Sequence, residues 1–167
     1  MASASNGNPN ATMSLSAAAR QRIRAHESVR GGYYNDGGRN RGHCSYGIGI
    51  LAHRGPCTAE ELARPLTATQ IEASFASAIH DAESAVRRNV NRHALTQDQF
   101  DALVSFTYNA GVGNSQPLYR RLNSGDIQGA ANFISSYTNS VQRGRRVHMA
   151  GLVERRRQES APFRVGQ

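Results

Sequence analysis

Residues 31–49 carry glycine at a density that no long helix tolerates, interleaved with Tyr33, Tyr34, Asn35 and Asp36. Each glycine in a helix interior costs about 1 kcal/mol relative to alanine, so this stretch must be spent on tight turns and a small sheet. Within it, residues 44–51 alternate with period two. Cys44, Tyr46, Ile48 and Ile50 fall on one side, and Ser45, Gly47 and Gly49 on the other. That second side predicts a strand face of bare backbone carrying one hydroxyl, where a ligand can approach closely.

Helical periods surround this segment. A short helix is predicted from Ser16 to about Glu27. Thr69-Gln70-Ile71-Glu72 reads as a capping box, and Ile71, Phe75, Ala78, Ile79, Ala82, Val86 and Val90 then hold one apolar face to about Asn91. A helix of that length spans roughly 33 Å, enough to join two lobes. Thr96-Gln97-Asp98-Gln99 is a second cap. The helix after it is apolar around most of its circumference, the mark of a central core helix, and Gly111 and Gly113 stop it. Shorter helices are predicted near 116–122, 127–137 and 152–159. The fold class is therefore α+β, with a small Gly-rich lobe (about 28–66), a connecting helix (about 69–91) and a helical lobe (about 92–163). The expected cleft lies between the parts. Residues 1–13, without charge and nearly without bulk, read as a disordered tail preceding one two-lobed domain over 14–167.

Composition excludes several classes. Two cysteines cannot build a disulfide framework, and no apolar run approaches the roughly 18–20 residues of a spanning helix. No basic-then-apolar secretory signal opens the chain, so export is expected to use another route. All twenty basic residues are arginine, against twelve carboxylates, leaving +8. Such a field attracts nucleic acid, lipid phosphate or an acidic wall polymer; solubility with coding bias is the alternative.

Glu27 at the end of the first helix and Asp36 nine residues on, in a turn, are the candidate chemistry. Hydrolysis of a sugar bond by the common route needs one carboxyl kept protonated and a second kept ionised. A helix end and a loop give two carboxyls different solvation, which separates their pKa values. Ser45, on the next strand, is placed to help hold a water. The plain alternative is a solvated Glu and a turn Asp.

Glu27, then Tyr33-Tyr34-Asn35-Asp36, then Cys44-Ser45-Tyr46-Gly47-Ile48-Gly49 resembles the signature of phage-type lysozymes, glycoside hydrolase family 24. The resemblance continues through Leu95-Thr96-Gln97-Asp98-Gln99-Phe100, Asn109-Ala110-Gly111-Val112-Gly113 and Gly151-Leu152-Val153-Glu154-Arg155-Arg156-Arg157. It covers about residues 20–163 and implies a lysozyme-like fold. It also implies an endolysin-like muramidase that cleaves the β-1,4 bond between N-acetylmuramic acid and N-acetylglucosamine, without a cofactor. Position by position, Glu27 matches the general acid, Asp36 the water-directing or cation-stabilising carboxylate, and Ser45 the family's Thr. Tyr34, Gly47, Gly49 and Asn109 match positions near substrate, and a helix C-cap is the equal alternative for Asn109. An inverting outcome is implied, with the carboxyls roughly 6.5–9.5 Å apart. The chain departs from the family in having Ser for Thr at 45, Ile50 where His is frequent, and a longer 36–44 turn bearing Arg39 and Arg41. Implied partners are peptidoglycan strands, met in the periplasm or at the wall by a monomer. An anionic envelope is a further contact, and nucleic acid is not implied. Alternatives are a lytic transglycosylase using Glu27 alone and a cationic protein that lyses without chemistry.

Cys44 and Cys57 bracket the second strand and its turn. A disulfide there would pin the strand carrying Ser45 and needs an oxidising compartment; two free thiols are the alternative. The six histidines form no metal set, and His43, Cys44 and Cys57 are one ligand short of a zinc site. Arg143, Arg145, Arg146 and Arg155 to Arg157 form the densest basic cluster. The family supplies an arginine that pairs with the catalytic Glu, and the motif does not say which of these it is. A solvated helix face is the alternative.

Overall fold

A computed structural model describes residues 7–142 and 145–164. The chain divides into two compact units. One comprises residues 21–80; the other comprises residues 1–20 and 81–167.

Residues 21–80 begin in α1 (Ala17–His26) and hold a three-stranded antiparallel sheet of β1 (Tyr33–Asn35), β2 (Cys44–Tyr46) and β3 (Ile50–His53), in that spatial order. Tyr34 pairs with Ser45, and Ser45 with Leu51. Period-two alternation over 44–51 predicts one strand, yet the structure breaks it in two. Gly47 and Gly49 take φ of +57° and +96°, a left-handed region that an L side chain rarely enters, and the chain reverses there. The glycines make a turn, not an open strand face. Gly47 is buried beside Leu66 and Ile71. Ser45 is buried too, at 3% exposure, so neither lies on the bare face expected of it.

The short α2 (Ala59–Ala63) follows, capped by Thr58 and Glu61 in a reciprocal box. Then α3 (Ala68–Asn89) starts two residues earlier than the motif at 69–72 predicts. Its reciprocal cap is Thr67 with Gln70: Gln70 N–H donates to Thr67 Oγ1, and Thr67 N–H to Gln70 Oε1. The division between the two units falls inside this helix, between His80 and Asp81.

The helical unit centres on α4 (Gln97–Ala110), opened by the Thr96–Gln99 box that the sequence predicts. Phe100, Leu103, Val104 and Phe106 on it are fully buried. Gly111, at φ +89°, ends it; Gly113 does not, because α5 (Val112–Asn123) has already begun. There follow α6 (Ile127–Ser136), a hairpin of β4 (Asn139–Gln142) and β5 (Arg145–His148) that the helical periods do not announce, and α7 (Ala150–Ser160). A 3-10 turn, Ala161–Phe163, closes the described chain.

The expected tail is only partly testable, since residues 1–6 lie outside the described residues. From Asn8 onward the expectation of disorder fails. Asn10, buried, donates through Nδ2 to the carbonyls of Val90 and His93 and accepts from Leu95 N–H. Ser16 donates to the buried Asp101 through both its N–H and its hydroxyl. Short polar side chains here satisfy the backbone of a neighbouring loop and helix end, which orders the segment.

Candidate active site

The sheet unit gathers most of the sequence-predicted residues. α1 ends at His26, and Glu27 stands immediately beyond it, half-buried, its N–H on the Arg24 carbonyl. Asp36 opens the turn after β1 and is exposed. Its carboxylate is held at both oxygens. The His43 backbone N–H donates to Oδ1 at 2.7 Å, and the Ser45 hydroxyl reaches Oδ2 at 3.4 Å. The second contact is long for an O–H···O bond, so it is the weaker of the two. Beneath the turn, Gly42 sits at φ +79°, where a Cβ would collide with the Asp36 carboxylate and the Gly37 backbone. Gly42 and the His43 amide therefore position Asp36. Sequence reasoning noted the length of this turn and missed both roles; a glycine closing the turn that a loop carboxylate opens was the available signal.

Tyr34 ties the two carboxylates together. Burial pushes its phenol above the ordinary value of 10.0; Arg30 opposes that shift, and the negative charges of Asp36 and Glu27 add to it. Both carboxylates thus lie within electrostatic reach of one ring. Arg30 stacks its guanidinium 4.2 Å from the centre of the same ring. Gly49, exposed, lies under the phenol: a Cβ there would meet Tyr34 Oη at 3.6 Å.

Covalent and ionic clips hold this small sheet. Cys44 and Cys57 are joined by a disulfide, with Cα atoms 4.6 Å apart, so the free-thiol alternative falls away. Cys57 N–H donates to Asn35 Oδ1 and Cys44 N–H to the Gly55 carbonyl, fixing both ends of the bridge to the strands beside Ser45. Glu61 stands next to the disulfide and forms an ion pair with His53 at 2.9 Å. The hydrogen bond to the Arg54 carbonyl and then the one to Glu61 raise His53 above its ordinary 6.5; the bond from His53 lowers Glu61 below 4.5. Both sulfurs are oxidised, so the Cys44, Cys57 and Glu61 grouping has no thiolate to offer a metal.

The helical unit contributes Asn109, which is exposed near the end of α4 and lines a cavity of about 770 Å³ together with Tyr137, Arg146 and Arg156. Behind this cavity the arginine cluster splits. Arg145, Arg146 and Arg157 are exposed, as a solvated face predicts. Arg155 and Arg156 are buried, against that prediction, because Glu159 lies three and four residues on and pairs with both. Ser105 completes the group, donating to Glu159 at 2.6 Å while its carbonyl accepts from Arg155. Among the described residues no buried side-chain nitrogen or oxygen lacks a partner. Arg143 lies outside them.

Comparison with known proteins follows the same lines. The family described as phage lysozyme matches residues 24–159. The endolysin of Bacillus phage B103 is 47% identical over 75 residues, covering 44% of this chain and 27% of that protein. The endolysin of Acyrthosiphon pisum secondary endosymbiont phage 1 is 35% identical over 71 residues, covering 41% of this chain and 49% of that one. The matched segment thus spans from about a quarter to half the length of these curated relatives. Among solved structures, the muramidase domain of SpmX from Asticaccaulis excentricus superposes with TM-score 0.69 at 28% identity, covering 91% of this chain and 98% of that one. The endolysin from Escherichia coli O157:H7 phage FAHEc1 gives 0.71 at 28% identity, covering 91% and 94%.

Proposed function

The chain belongs to the phage lysozyme family, and from that premise we propose that it hydrolyses the glycan strands of bacterial peptidoglycan at the β-1,4 bond between N-acetylmuramic acid and N-acetylglucosamine. Glu27 delivers the proton to the leaving oxygen. Asp36 stays ionised and directs water or steadies the oxocarbenium-like transition state. Ser45, buried beside it, holds the carboxylate in one orientation, and its long contact shortens when substrate arrives. Tyr34 and Gly49 face sugar in the sheet unit, and Asn109 binds sugar in the helical unit.

The observation that carries this proposal is the environment of Asp36. A carboxylate on an exposed turn has both oxygens engaged, by the His43 amide and the Ser45 hydroxyl, and shares the field of Tyr34 with Glu27.

The proposed activity works at the cell wall, with a monomer acting on the polymer. Among the described residues no helix is long and apolar enough to cross a membrane. Digestion of purified cell walls, followed by turbidity and by mass spectrometry of the released sugars, tests the proposal. It predicts reducing N-acetylmuramic ends, with inversion seen as the α-anomer in the first minutes by NMR. Accumulation of 1,6-anhydro sugar would replace it with a transglycosylase. Wall clearing without new reducing ends would replace it with lysis by charge alone.

A further inference from the structure

Arg156 is 1% exposed, yet it lines the cavity of the helical unit. All three of its guanidinium nitrogens are engaged. Nε donates to the Tyr137 carbonyl at 2.7 Å, Nη1 to Glu159 Oε2 at 2.5 Å, and Nη2 to Asn109 Oδ1 at 2.5 Å. Its plane lies over Phe106, 4.7 Å from the ring centre, with Tyr137 at 5.6 Å. Such a group has no other place to go.

A guanidinium carries donors and no acceptor. Asn109 must therefore turn its oxygen toward Arg156, since the flipped amide would set donor against donor. An exposed asparagine near a helix end would ordinarily sample both orientations. Here the buried cation removes one of them, and the Nδ2 hydrogens become what the side chain offers to the cavity. Rotation of the ligand cannot change this polarity, because Glu159 and the Tyr137 carbonyl hold the guanidinium from behind.

We propose that Arg156 is a positioning residue that fixes Asn109 as a hydrogen-bond donor, so that this cavity selects an acceptor: the acetamido carbonyl of an N-acetylated sugar. The choice of sugar rests on the proposed peptidoglycan hydrolysis; the orientation of Asn109 does not. At about 770 Å³ the cavity is within the range of small-ligand sites, large enough for a sugar ring and its acetamido group. Loss of one such donor leaves a buried acceptor on the ligand unpaired, a cost of about 1–3 kcal/mol, or roughly fivefold to 150-fold in affinity.

The test measures binding of tetra-N-acetylchitotetraose by calorimetry in the Glu27→Gln protein, where turnover does not intrude, with hydrolysis of soluble wall fragments measured in the otherwise native chain. Asn109→Asp keeps the size and the partner of the side chain but replaces the donor with an acceptor. It is expected to weaken binding at least tenfold and to raise KM with kcat retained, while the melting temperature holds or rises. Arg156→Lys keeps the charge beside Glu159 but loses the fork. It is expected to weaken binding when Asn109 is present and to change nothing further in Asn109→Ala. Side-chain amide NMR supplies an arm free of sugar: the Asn109 Nδ2 protons should exchange with water freely, and shift on adding the tetrasaccharide.

Asn109→Asp binding as tightly as its parent overturns the inference, as do additive losses in the double variant or Nδ2 protons protected from water. A parent that digests walls but does not bind the tetrasaccharide overturns the choice of ligand. A parent that does neither overturns the proposed function, and the acetamido assignment with it, leaving the NMR arm to decide the orientation.

Discussion

The sheet unit and the helical unit both put polar side chains to work, and they hold them by opposite means. In residues 21–80, strands of three or four residues carry Asp36 on an exposed turn, and little apolar mass lies behind it. Support there comes from a covalent bridge, a glycine that admits no Cβ, and single hydrogen bonds. In the helical unit, Asn109 stands in front of a buried ionic group, Arg155, Arg156 and Glu159, packed against the apolar α4. A small sheet cannot bury charge, so it staples the chain. A helical core can, provided that every donor and acceptor is met. The staple leaves its carboxylate exposed to water; the buried group holds the amide beside it.

That contrast can be broken at its strongest point first. Arg156→Met removes one side of a buried pair and leaves Glu159 with less than its complement, so it is expected to destabilise by about 3–5 kcal/mol. For a chain of this size that is a fall of roughly 6–20 °C in melting temperature, read by calorimetry. An unchanged melting point would mean that the ionic group is not structural. The double change Cys44→Ser and Cys57→Ser comes next. The bridge closes a loop of 13 residues, and its loss should cost about 3 kcal/mol, with protease cleavage appearing within residues 36–57 before it appears in the helical unit. Equal sensitivity of both units would erase the difference between them.

Ser45→Ala is smaller still. Its hydroxyl contact is long, at 3.4 Å, and His43 N–H still holds the other oxygen, so kcat is expected to fall about tenfold, or 1.4 kcal/mol, with folding unaffected. The smallest effect belongs to His53→Gln. His53 is raised and Glu61 lowered, so the pair stabilises fully only where both are charged. That advantage is present above about pH 4.5 and below about 6.5, is lost as pH falls through the depressed Glu61 value, and is lost as pH rises through the raised His53 value. The melting-point difference between native and His53→Gln proteins should therefore be largest between about pH 4.5 and 6.5 and close as the pH rises past the raised His53 value. A difference that does not vary with pH would remove the ion pair from the explanation.

What could be read from the chain follows the same division. The Thr96–Gln99 cap and the apolar surround of α4 were legible because side-chain type sets them directly. The hairpin of β2 and β3 was not, since period-two alternation records which side a residue faces and says nothing of the sign of φ at Gly47 and Gly49. The buried arginines were read as part of a charged surface for a related reason. Burial of Arg156 depends on Asn109 and on the Tyr137 carbonyl, 47 and 19 residues away, and only Glu159 is near enough in sequence to have hinted at it. The segment from Asn8 to Met13 looked structureless because its anchors are side-chain amides, which composition counts as disorder-prone.

Glu27 carries the central claim, that one carboxyl gives a proton across from an ionised Asp36. The most direct measurement is the rate of reducing-end release from purified cell walls by the native chain and by Glu27→Gln at equal folded concentration, confirmed by circular dichroism. A loss of about 10²–10⁴-fold or more with the melting curve unchanged is the predicted result. A Glu27→Gln protein that releases reducing ends at the native rate would contradict the account.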